Sequence, residues 1–81
     1  MRNADLKIQP NPANEEVIIS VTENLIGGEL KMLDVSGRLI ATRNVETVNC
    51  KLRTANFSQG VYFIQLITEK GMLTKRLVIA R

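Results

Sequence analysis

An all-β fold, an antiparallel sandwich of about seven strands and of immunoglobulin-like size, is what the sequence predicts, and three observations carry it. Short apolar and β-branched runs recur at about eight- to twelve-residue spacing, each bounded by Gly, Pro, Asn, Asp or Ser. No window shows the helical period of about 3.6 residues. Apolar residues make up 44% of the chain, yet the only aromatics are Phe57, Tyr62 and Phe63, so Val, Ile and Leu must fill the core. An open barrel is the alternative arrangement. With 81 residues the chain is one domain with a single thin core and no room for a large enclosed active site.

The first strand, Leu6-Lys7-Ile8-Gln9, is short because Pro10-Asn11-Pro12 follows, and proline has no N–H to donate to a ladder. Those residues form a rigid corner. Glu15 to Thr22 is the second strand, with Val17, Ile19 and Val21 on its buried face. After Gly27-Gly28 the third strand runs from Glu29 to Val35, with Leu30 and Met32 facing in. Ser36-Gly37 then reads as a tight hairpin connection, a type I turn with a G1 bulge in which Gly37 takes a positive φ. Asp34 is placed to accept bonds from the N–H groups of that turn or to pair with Arg38, a structural role, since no second acid or base stands near it. The return arm is Arg38 to Arg43.

Thr47 to Arg53 alternates, with Val48, Cys50 and Leu52 inward, as a fifth strand. A loop from Thr54 to Gly60 follows, in which Phe57 plugs the end of the core. Gly60-Val61-Tyr62-Phe63-Ile64-Gln65-Leu66-Ile67 is the densest β-forming run and the structural centre of the chain. Tyr62, near its start, is placed to return its hydroxyl to loop backbone as a tyrosine corner. Beyond Gly71, the run from Met72 to Arg81 puts Leu73, Lys75, Leu77 and Ile79 on one face and Met72, Thr74, Arg76 and Val78 on the other.

Composition excludes most chemistry. There is no histidine and one cysteine, which removes the common catalytic and metal-ligating constellations and any internal disulfide. No metal or cofactor is expected, and Cys50 is expected as a small buried core residue. The net charge of +3 is uneven: residues 1 to 37 hold six acids and three bases, residues 38 to 81 two acids and eight bases. Bases on alternate strand positions form a solvated face, and no compact basic cluster interleaves with aromatics, so nucleic acid is not an expected partner. No stretch approaches the roughly 20 apolar residues that cross a bilayer, and the N-terminus lacks a signal-peptide layout, so direct membrane insertion is not expected. Residues 1 to 5 read as a linker remnant and 6 to 81 as the domain.

Four segments, Ile8-Gln9-Pro10-Asn11-Pro12-Ala13, Asp34-Val35-Ser36-Gly37-Arg38, Gly60-Val61-Tyr62-Phe63 and Thr74-Lys75-Arg76-Leu77-Val78-Ile79, stand in an order and spacing that is specific where each alone is weak. Together they resemble the type A C-terminal sorting domain of the type IX (Por) secretion system of Bacteroidetes, over nearly the whole chain from Leu6 to Arg81. Two positions depart from the family pattern: Gln9 stands where an aromatic is common before Pro-Asn-Pro, and Leu33 where a tyrosine or phenylalanine is common before the Asp. The ending at Arg81, two residues after an apolar triplet, matches the common family ending and is expected to be native.

The resemblance implies a non-enzymatic signal at the end of a secreted protein. Its implied partners are covalently linked upstream cargo domains, an outer-membrane translocon and a sortase-like peptidase that removes the signal and attaches the cargo to surface lipopolysaccharide. The implied route leads through the periplasm to the outer membrane and cell surface. The residues carried over as the recognition strand are Lys75, Arg76, Leu77, Val78 and Ile79. Pro10, Asn11, Pro12, Asp34, Gly37, Gly60 and Tyr62 carry over as positions that keep the sandwich in shape. The physical logic expected of the signal is an edge strand that a receptor extends by β-augmentation, with Lys75 and Arg76 setting electrostatic register. Such edges also make a homodimer through paired strands an expectation. The competing function is a passive immunoglobulin-like spacer or a carbohydrate-binding sandwich, for which three aromatics offer little platform.

Overall fold

The computed structural model describes residues 5–10, 13 and 15–80, so Asn11, Pro12 and Arg81, named above, lie outside the described residues. Seven strands form two antiparallel sheets: β1 (Leu6–Gln9), β2 (Glu16–Val21) and β5 (Asn49–Arg53) in the order β1-β2-β5, and β3 (Glu29–Asp34), β4 (Leu39–Asn44), β6 (Gly60–Thr68) and β7 (Gly71–Ile79) in the order β4-β3-β6-β7. The chain therefore crosses between sheets after β2, β4 and β5, and only the β1-β2, β3-β4 and β6-β7 pairs are neighbours in sequence. One short 3-10 turn, Glu23–Leu25, bridges β2 and β3.

Period-two alternation builds the core between the sheets. Val17, Ile19 and Val21 of β2 face Leu30 and Met32 of β3 and Tyr62, Ile64 and Leu66 of β6, all buried, with Leu6, Ile8, Leu52, Leu77 and Ile79 completing the layer. Phe57 is half-buried against the core, its ring 6.3 Å from that of Tyr62 at 46°. Three core residues come from outside the strands: Ala13, Leu25 and Val45. Val45 is 1% exposed because its backbone is tied at both ends, its N–H donating to Gly28 O at 2.9 Å and its carbonyl accepting from Gly27 N–H at 2.8 Å. Leu25, on the 3-10 turn, closes the same end of the sandwich.

The hairpin after β3 has the expected bonds: Gly37 N–H donates to Asp34 O, Asp34 N–H donates to Arg38 O, both at 3.0 Å, and Gly37 has φ +89°. The strand ends at Asp34, one residue short of expectation, because Val35 already belongs to the turn and is 73% exposed.

The fifth strand differs from its alternation pattern. It begins at Asn49 because the Thr47 hydroxyl accepts Asn49 N–H at 3.2 Å and donates to Asn49 O at 2.7 Å, a local loop that competes with the ladder. Val48 is consequently exposed, at 36%, and not part of the core. Cys50 is half-buried, not a full core residue, because β5 is the outer strand of its sheet and the thiol sits at the rim beside Ala41 of β4.

Candidate functional site

The proposed recognition residues all fall on β7, which pairs with β6 from Thr68↔Gly71 to Gly60↔Ile79. The strand divides them sharply. Leu77 and Ile79 point into the core and are 0% and 1% exposed. Val78 points outward, half-buried beside its cross-strand partner Val61. Arg76 is exposed on the outer face opposite Phe63. Lys75 shares the inner face with Leu77, opposite buried Ile64, but its stem runs out over the sheet edge and leaves the ammonium in solvent, as amphipathic side chains do. There Nζ lies 3.6 Å from Asp5 Oδ1, which also accepts Leu6 N–H at 2.9 Å.

β7 is an edge strand, but only part of that edge is open. Ala13 pairs with Ile79 in a parallel bridge: its N–H donates to Val78 O at 2.7 Å, and its carbonyl accepts Ala80 N–H at 2.8 Å. β1 ends at Gln9, the Gln9–Pro10 peptide is cis, and Ala13 bridges to the opposite sheet. The expected edge strand is therefore already bonded at its C-terminal end, at Val78 and Ala80. Alternation along the ladder turns the N–H and C=O groups of Thr74 and Met72 to the same side as those of Val78, below the reach of Ala13.

Of the positions assigned to shape, Asp34 and Tyr62 act in loops away from this edge. Asp34 holds the β3-β4 hairpin: Oδ1 accepts Ser36 N–H at 3.0 Å, Ser36 Oγ–H at 2.7 Å and Arg38 N–H at 2.9 Å, and Oδ2 lies 3.2 Å from Arg38 Nε. The Ser36 hydroxyl bond first, then the Arg38 N–H, hold its carboxyl below the usual aspartate range against a smaller opposing effect of burial. Tyr62 donates its hydroxyl to Ser58 O at 2.6 Å, closing a tyrosine corner over the loop before β6. Gly60 opens β6 opposite Ile79, and Pro10 follows the last residue of β1.

Asp5 and Ala13 were not legible as members of this site. Asp5 reads as linker, and Ala13 has no polar or aromatic side chain to draw attention. Each acts largely through its backbone or through an atom that only the fold brings to β7. Among the described residues no cluster of three His, Cys, Asp or Glu could hold a metal ion, and no helix is long and apolar enough to cross a membrane.

On β7 the exposed Lys75 and Arg76 directly precede the buried Leu77 and Ile79. Over 71 residues, 88% of its length, the chain is 30% identical to beta-agarase A of Zobellia galactanivorans, and it spans 13% of that protein. The family model of the secretion system C-terminal sorting domain matches residues 7–80. The chain belongs to that family, the C-terminal sorting signals of type IX secretion, which are signals and not catalysts.

Proposed function

We propose that residues 6 to 81 act as a folded sorting signal, following a linker at residues 1 to 5, and that the type IX machinery reads the exposed cations Lys75 and Arg76 while Leu77, Val78 and Ile79 anchor the strand that carries them. The observation that carries this reading is the division of β7, where charge is outside and the apolar residues on either side of Val78 are fully enclosed. In this reading the attached cargo passes from the periplasm through an outer-membrane translocon, and a sortase-like peptidase then removes the domain and fixes the cargo at the cell surface. The likeness to part of an agarase supports a secreted enzyme as the kind of cargo. In this reading Asp34, Gly37, Gly60, Tyr62 and Pro10 serve by keeping the sandwich in shape, Asp34 and Gly37 at the β3-β4 hairpin and Tyr62 at the loop before β6; Asn11 and Pro12 carry the same expectation from the sequence.

The test is a periplasm-targeted fluorescent reporter fused to the 81-residue chain in a host that carries the system. The wild-type fusion is expected at the cell surface or in the medium, and Lys75→Gln with Arg76→Gln is expected to leave it in the periplasm although the purified domain melts as a folded protein. A wild-type fusion retained in the periplasm would sink the sorting role; normal export of the double variant would sink the role of the cations. Homodimerisation would use the same uncovered edges, and light scattering on the purified chain decides it, a monomer at high concentration removing it.

A further inference from the structure

β1 and β7 are the edge strands of opposite sheets and lie next to each other on one side of the sandwich. Where Ala13 bridges to β7 that side is closed. Below the bridge the two edges separate into an open groove of about 360 Å³ whose lining includes Asp5, Lys7 and Gln9 from one edge and Lys75 and Arg76 from the other. Three of these are cations and one is a carboxylate, so the groove attracts negative charge.

Two further features define what fits. Ala13 already demonstrates that the β7 edge accepts a strand, and the backbone groups of Met72 and Thr74 continue the line it begins. Asp5 demonstrates the side-chain chemistry: a carboxylate rests between the Leu6 N–H at 2.9 Å and the Lys75 ammonium at 3.6 Å. Its ion pair is half-exposed, which makes it weak and exchangeable.

We propose that this groove, together with the β7 edge at Thr74 and Met72 that runs on from it, is the docking site for an extended, carboxylate-bearing segment of a partner protein, which pairs with that edge and takes the place of Asp5 at Lys75. Strand addition supplies affinity through the backbone, and the carboxylate fixes the register. The inference rests on the reading that β7 is the recognised strand, and it adds Lys7 and Asp5 to the surface, Asp5 acting as an internal competitor.

The experiment is an NMR titration of the 81-residue chain with a synthetic decapeptide of alternating Thr and Glu, against the same peptide with Gln for Glu. Only the acidic peptide is expected to shift the amides of Asp5, Leu6, Thr74 and Lys75, and added salt is expected to weaken it. Asp5→Asn keeps an oxygen for the Leu6 N–H but removes the competing charge, so it is expected to tighten binding about two- to fivefold, and Lys75→Gln to weaken it by a similar factor. Lys31→Gln, on β3, is expected to change nothing. No binding, shifts centred on the outer face of the β1 sheet, or an affinity indifferent to Asp5→Asn and Lys75→Gln would each overturn the proposal. Failure here with normal export of the wild-type reporter fusion refutes the groove alone, whereas binding here without export refutes the sorting role.

Discussion

Leu77→Ala separates anchoring from recognition on β7. Leu77 is 0% exposed, so the substitution removes three buried carbon groups, worth about 2.4 kcal/mol at about 0.8 kcal/mol each. The cavity left behind raises the loss to about 2.5–4 kcal/mol. A domain of 81 residues has about 4–12 kcal/mol in total, so the variant is expected to stand near the limit of stable folding. The assay is urea denaturation followed by circular dichroism. With a slope of about 1 kcal/mol per molar for a domain this small, the midpoint is expected to fall by about 2.5–4 M. Lys75→Gln breaks only a half-exposed ion pair and is expected to cost less than about 1 kcal/mol. A Leu77→Ala midpoint within about 0.5 M of wild type would show that the side chain does not anchor the strand, and the division of β7 into anchors and cations would have to be abandoned.

Four other outcomes follow from the packing and the turns. Tyr62→Phe removes the 2.6 Å bond to Ser58 O and is expected to cost about 1 kcal/mol, read as a fall of about 4–8 °C in melting temperature with the fold unchanged. Gly28→Ala would put a Cβ 2.9 Å from the Ile67 carbonyl oxygen, so a loss of about 1–3 kcal/mol is expected in the same melt, and a neutral result would show that the β3-β6 spacing relaxes freely. For Asp34, whose carboxyl is held below its ordinary value of 3.8, the stabilisation is complete above that pH and disappears as pH falls through the lowered folded value; the difference between wild type and Asp34→Asn in urea titrations should therefore shrink in acid below about pH 4 and be constant near neutrality. Burial pushes the Cys50 thiol up, so alkylation by iodoacetamide at neutral pH is expected to be slow in the folded chain and to accelerate in urea, equal rates in both showing an open thiol.

The strands were readable because alternation is a strong signal wherever one face is buried: β2 and β3 place the same residues inward that their period predicts. The β3-β4 hairpin was readable because Ser36-Gly37 has one good turn geometry. What escaped the sequence depends on events outside a strand's own period. Val45 is buried by bonds to Gly27 and Gly28, which are distant in sequence, and Val48 is exposed by the Thr47 hydroxyl. Within the candidate site the inner and outer positions of β7 were legible, but two features were not. Lys75 occupies an inward position and still reaches solvent, because an edge strand has no neighbour to block its stem. Ala13 covers the end of β7 through its backbone, and nothing in the identity of alanine announces that role.

Ala13 also decides which experiment on the C-terminus is informative. Deleting Leu77 to Arg81 removes two residues that are 0% and 1% exposed, and it removes the Ala80 N–H that bonds Ala13. Such a truncation strips β7 from the core and frees the first strand's continuation from the opposite sheet at the same time. Loss of export after that deletion is therefore the expected result whether the machinery contacts these residues or contacts any other part of a correctly folded domain. Charge substitutions at Lys75 and Arg76 leave the buried anchors in place, so they alter the presented surface while sparing most of the stability. A sorting signal built this way couples its two tasks: the apolar residues that complete the core are adjacent to the cations that are displayed, and Asp5 meets Lys75 only when both edge strands are in place. In an unfolded chain Lys75 and Arg76 are an ordinary basic pair, so recognition through the groove would discriminate folded from unfolded cargo tails by geometry, without any residue dedicated to that purpose.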